Sequence, residues 1–148
     1  VVSAIVLVAA VSACSLRPVL ELVPAVSHIR ITHAAGSYRA IARITFSVRT
    51  IRKPASSGDP GLRAHVAGYY AIAQRLTQTS EVESVGSTPA QTRARLAKGV
   101  TALARDENLE YARQVHVYDT ITDNGRAQSQ GPAFGFPGGP NANAYCPV

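Results

Sequence analysis

Polar and apolar residues alternate along His28-Ile29-Arg30-Ile31-Thr32-His33 and again from Tyr38 to Ile51. Successive strand side chains point to opposite faces, so a period of two predicts half-buried β-strands. The first run puts Ile29, Ile31 and His33 on one face and His28, Arg30 and Thr32 on the other; the second puts Ala42, Ile44, Phe46 and Val48 inward and Arg43, Thr45, Ser47 and Arg49 outward. Ala34-Ala35-Gly36-Ser37 reads as a turn between them, and together they predict an antiparallel hairpin with one wet face. Two helices follow. After a loop over Pro54 to Pro60, with Asp59 preceding Pro60, the residues Leu62, Val66, Tyr69, Ala73 and Leu76 recur at helical spacing and predict a helix packed on the sheet. The second helix starts at Thr88-Pro89-Ala90-Gln91, which combines a capping hydroxyl, a proline at the first helical position and a glutamine at the capping-box position. It is predicted to run to about Tyr118, with Leu96, Val100 and Leu103 buried. Asp106, Glu107 and Glu110 share its solvated side with Arg105 and Arg113, and surface ion pairs account for these acids without a catalytic role. The expected fold class is α+β, a small antiparallel sheet or hairpin packed against two long α-helices.

The 148 residues suit one domain. Residues 1–13 are uncharged, apolar and end in small residues before Cys14. This pattern predicts a signal peptide whose basic n-region is truncated, and it is too short for a spanning helix. Val11-Ser12-Ala13-Cys14 also resembles the lipobox of bacterial lipoproteins, with Cys14 as the lipidated residue, while ordinary cleavage without lipid is the competing reading. The expected location is exported, in the periplasm or cell envelope, with membrane attachment through a lipid anchor in the first case. In the second case Cys14 is available for a disulfide with Cys146. Residues 14–27, with Pro18 and Pro24, read as a tether, residues 28–130 as the folded domain, and residues 131–148, rich in Gly and Pro, as a disordered tail.

The net charge is +6 and thirteen of the fifteen basic residues are arginines, but they are spread from Arg17 to Arg126. A nucleic-acid binder gathers its charge on one face or helix, so that class of partner is not expected. Solvated charges of an arginine-rich composition account for this excess, and attraction to anionic headgroups or envelope polymers is the functional alternative in an exported protein.

The candidate chemistry sits in the first helix. Leu62-Arg63-Ala64-His65-Val66-Ala67-Gly68-Tyr69-Tyr70-Ala71-Ile72-Ala73 keeps the outline of His-Glu-x-x-His, in which two imidazoles one turn apart bind Zn²⁺ and the glutamate activates its water. Downstream the chain reads Val117-Tyr118-Asp119-Thr120-Ile121-Thr122-Asp123-Asn124-Gly125. The order of β-rich segment, Leu-x-x-His-x-x-Gly-Tyr helix, second helix and Tyr-Asp-x-x-Thr turn resembles a bacterial family of predicted secreted zinc-dependent proteases, a domain of unknown function, over residues 28–130. The resemblance implies metal positions at His65, Tyr69 and Asn124 and a general-base position at Val66. It also implies that the closing turn returns to the first helix, where Asp119, Thr122 and Asp123 would form a polar cluster near His65; as Asx side chains do, Asp119 is expected to bond the turn backbone.

Of the implied site, His65 alone keeps its chemistry. Tyrosine and asparagine are poor zinc ligands at neutral pH, and valine transfers no proton. A degenerate, non-catalytic member is therefore expected, carrying no cofactor and binding an envelope partner or ligand. The alternative is a zinc metallohydrolase rebuilt from His65, His116, Asp119 or Asp123. His116 near the second helix's end is also explained by the helix dipole, and His28 and His33, on opposite strand faces, do not form one metal site.

Overall fold

The computed structural model describes residues 17–56, 58 and 60–122. Strands β1 (Val19–Ala34) and β2 (Ser37–Arg52) form a long hairpin, helix α1 (Pro60–Arg75) follows, strand β3 (Thr79–Gly86) returns antiparallel beside β2, and helix α2 (Pro89–Ile121) closes the chain. The sheet order is β1-β2-β3. This is the expected α+β arrangement, with one more strand than the alternation predicted. Ala35 and Gly36 at the hairpin tip both have positive φ, 49° and 77°, the backbone that a two-residue connection needs to match strand twist.

The inner face carries Leu20 and Leu22 from β1 and Ala40, Ala42, Ile44 and Phe46 from β2, all buried against Tyr69, Ile72 and Ala73 of α1 and Leu96, Tyr111, Val115 and Tyr118 of α2. The inward set predicted for β2 is the set found, with Val48 partly buried. Helix α2 lies on β3 at its start, where a Cβ on Gly99 would come within 2.9 Å of Val82, and crosses to β1 further along. There the Asn108 amide donates to Leu22 O and accepts from Leu22 N, both at 2.9 Å. One side chain thus completes the backbone pairing of an edge strand. Among the described residues no helix is long and apolar enough to cross a membrane.

Four expectations need correction. The segment read as a tether is strand from Val19 onward. Pro24 broke the pattern there, yet on an edge strand it is harmless: Leu22 N–H points away from β2, and position 24 repeats that orientation, so no ladder donor is lost. The fold thus begins before residue 28. Second, a register shift between Ser27 and Arg30 interrupts the regular alternation from His28, and Ile29 is 57% exposed instead of inward. Third, β3 went unread because Thr79-Ser80-Glu81-Val82-Glu83-Ser84-Val85 alternates hydroxyls and acids with few apolar residues. Fourth, the buried stripe of α1 is His65, Gly68, Tyr69, Ile72 and Ala73, rotated away from Val66, which is half-buried. Helix α2 also runs three residues beyond Tyr118. Its start is as predicted: Thr88 Oγ1 accepts from Gln91 N at 3.2 Å, while Gln91 Oε1 reaches back to Ser87 N at 2.8 Å.

Candidate functional site

Helical periodicity sets His65 and Tyr69 one turn apart on the inward side of α1, facing the end of α2. Gly68 lies between them and lets the Tyr118 ring lie against the helix. The His65 ring is stacked on Tyr118, with centroids 4.8 Å apart and planes at 16°, and meets Tyr69 edge-on at 4.9 Å. Tyr118 Oη donates to the His65 carbonyl at 3.0 Å. His65, Tyr69, Tyr118, Asp119 and Thr122 are all at most 1% exposed.

The polar atoms form a chain. Tyr69 Oη lies 2.8 Å from His65 Nε2 and donates to Asp119 Oδ1 at 2.5 Å. Because a phenol has one hydrogen and Asp119 takes it, Nε2 must itself donate to Tyr69. On the other side of the ring, Thr122 Oγ1 lies 3.2 Å from Nδ1 and 2.7 Å from Tyr118 O. Thr122 Oγ1 donates to Tyr118 O, and Asp119 Oδ1 lies 3.4 Å from His65 Nε2 beside the Tyr69 hydroxyl that links them. Burial first, and then the hydrogen bond to Asp119, push the Tyr69 phenol well above the ordinary tyrosine range. Burial likewise raises Tyr118 and Tyr111.

Asp119 is the charged centre of this cluster. Its Oδ2 is buried and accepts no hydrogen bond, and Arg17, entering ahead of β1, places Nη1 3.8 Å from it. A full-strength hydrogen bond requires a closer approach, so the pair is held by charge alone.

Zinc, implied by the resemblance, does not fit these donors. A ligating imidazole nitrogen must offer its lone pair and a ligating phenol must lose its proton. Here Nε2 carries a hydrogen and Tyr69 is made harder to ionise. Val66, at the general-base position, is half-buried and lines a shallow concavity with Pro54, Ala55, Leu62 and Ala67. Among the described residues no three His, Cys, Asp or Glu side chains converge as a metal site.

The fold brings His65, Tyr69, Asp119 and Thr122 together, with Asp119 helical and bonded to Tyr69 rather than to a turn backbone. His116 is exposed on α2, outside the cluster. Asp123, Asn124, Cys14 and Cys146 lie outside the described residues. His28 and His33 are not part of the cluster: the His33 ring lies against Tyr38, centroids 4.4 Å apart and planes tilted by 35°. Arg17 and Tyr118 were not singled out in the sequence as site residues. For Tyr118 the sequence offered its place as the first residue of the Tyr-Asp-x-x-Thr motif, and Gly68 was a further signal for it, since a glycine inside a helix marks a close approach.

Comparison of the chain with protein-family models, with curated proteins and with solved structures returned no match.

Proposed function

We propose that this chain is an exported cell-envelope protein on a zinc-protease-like scaffold that works by binding a partner or ligand and not by hydrolysis. The observation that carries the reading is Tyr69 Oη seated between His65 Nε2 and Asp119 Oδ1, at 2.8 and 2.5 Å. Where the resembling family places a second imidazole, a phenol occupies both polar neighbours and helps seal them from solvent. A hydrolase needs an accessible nucleophilic water and a base beside it. Val66 supplies no base, and His65, Tyr69 and Asp119 Oδ1 bond one another inside the core, away from solvent. Export, with a lipid on Cys14 or without one, rests on the apolar run before Cys14.

A second reading, a metallohydrolase with a rebuilt site, draws support from one fact: the buried Oδ2 of Asp119 accepts no hydrogen bond, and Oδ1 lies 3.4 Å from His65 Nε2. It requires His65 to give up its Nε2 hydrogen and a third ligand from Asp123 or Asn124, since His116 is exposed.

Dialysis of the untagged protein against Zn²⁺ followed by elemental analysis separates the two. The binding-protein reading expects no stoichiometric zinc in the wild type and no difference in His65→Ala. One zinc per chain, lost in His65→Ala, overturns it in favour of the hydrolase.

A further inference from the structure

The outer face of the sheet is rich in arginine, and its arginines are not alike. Arg39 is paired with Glu83 at 2.6 Å, and Arg49 is paired with Glu21. Arg30 and Arg43 make no ion pair among the described residues. Arg43 stands opposite Glu81 in the β2–β3 ladder, yet the two are not joined. These two arginines border the same concavity, about 460 Å³, whose other walls are His28, Ile29, Ile41 and Glu81.

The backbone builds this concavity at a cost. The β1 register slips between Ser27 and Arg30, and His28 adopts φ 52°, a left-handed conformation that costs an L-residue about 1–2 kcal/mol. Bulges of this kind re-aim side chains, and local strain at an exposed site is a pointer to use. Here the slip leaves Ile29 57% exposed at the lip, beside an imidazole and two guanidinium groups.

We propose that this concavity binds a phosphoryl group carried on a small organic body. Guanidinium forks match phosphate oxygens two at a time, and His28 adds a third donor. Ile29 at the lip and Ile41 beside it offer the organic part apolar contact. Glu81 at the rim repels a dianion more strongly than a monoanion, so a monoanionic ester suits the site better. A soluble phosphate ester and a phospholipid headgroup both carry this chemistry. The proposal is independent of the fate of the His65 cluster on the opposite face of the sheet.

The test uses the full chain, its Arg30→Gln/Arg43→Gln variant, a Glu81→Gln variant, and Arg93→Gln/Lys98→Gln, which removes the same charge from the exposed side of α2. Binding of glycerophosphoglycerol, a soluble monoanionic phosphodiester, is followed by calorimetry, and binding to phosphatidylglycerol and phosphatidylcholine vesicles by co-sedimentation. Arg30→Gln/Arg43→Gln is expected to weaken binding at least about tenfold, since each lost charge-assisted contact is worth about that factor, while Glu81→Gln tightens it and Arg93→Gln/Lys98→Gln stays within about twofold. Saturable binding of the ester with this pattern assigns a soluble ligand; vesicle binding alone with this pattern assigns the headgroup. No binding to either probe, or an equal loss in both double variants, overturns the proposal. Circular dichroism confirms that each variant is folded, which the exposure of all five substituted residues favours.

Discussion

The Tyr118 hydroxyl occupies the space that a side chain on Gly68 would need: a Cβ there would lie 2.1 Å from Tyr118 Oη and 2.3 Å from Cζ. The ring cannot retreat, because it is stacked on His65 and its hydroxyl is bonded to His65 O. Gly68→Ala gains about 1 kcal/mol of helix propensity but forces the ring out of a close-packed core, which costs about 1–3 kcal/mol and more at so short a distance. A net loss of about 2 kcal/mol is expected from urea denaturation. In a Tyr118→Leu background the same substitution is expected to be neutral or stabilising, and an unchanged cost there would refute the contact as its cause.

Tyr69 is the shared partner of an imidazole and a carboxylate. Tyr69→Phe keeps the ring and removes the oxygen between His65 Nε2 and Asp119 Oδ1, taking from each buried group the partner that Tyr69 provides. Losing such partners costs about 2–4 kcal/mol. The expected result is a lowered urea midpoint with an unchanged slope; a loss below 1 kcal/mol would mean that His65 and Asp119 re-pair directly across their 3.4 Å separation.

Asn108 joins α2 to the outer edge of β1 through Leu22 N and O. Asn108→Ala is expected to cost about 1–3 kcal/mol and to speed hydrogen exchange at the Leu22 amide before its β2-paired neighbours. Exchange at Leu22 unchanged from wild type would show that another group covers the edge.

Alkaline pH should unfold this protein through its tyrosines. The phenols of Tyr69, Tyr111 and Tyr118 are raised above their ordinary value near 10, in each case first by burial. The unfolded chain releases these protons near pH 10 while the folded chain keeps them. Their contribution is therefore complete below pH 10 and is lost as pH rises beyond it, at up to about 1.4 kcal/mol per pH unit for each phenol. Ionisation of Tyr69, Tyr111 and Tyr118, followed by phenolate absorbance at 295 nm, is expected only as the far-ultraviolet dichroism collapses. Their early ionisation in a folded protein would contradict the burial of the cluster.

Much of this architecture was legible in local pattern. The inward set of β2, the turn at Ala35-Gly36 and the Thr88 cap follow from strand periodicity, turn chemistry and capping, all of which act over a few residues. The pattern failed where a residue's role depends on a distant neighbour. Pro24 is acceptable because its strand is an edge, β3 is a strand because β2 offers it a ladder, and Val66 leaves the core because α1 is rotated to face Tyr118 and Asp119.

The sequence by itself determined the α+β class, the two helices and the pairing of His65 with Tyr69, since residues four apart on a helix share a face whatever surrounds them. Tertiary structure alone decided what that pair does. Asp119, fifty residues away, takes the Tyr69 hydrogen, fixes the Nε2 hydrogen of His65 and sets Arg17 against a buried carboxylate. Hydrogen-bond direction and desolvation depend on distances of a few ångström between remote parts of the chain, and those distances exist only once α1 and α2 have docked.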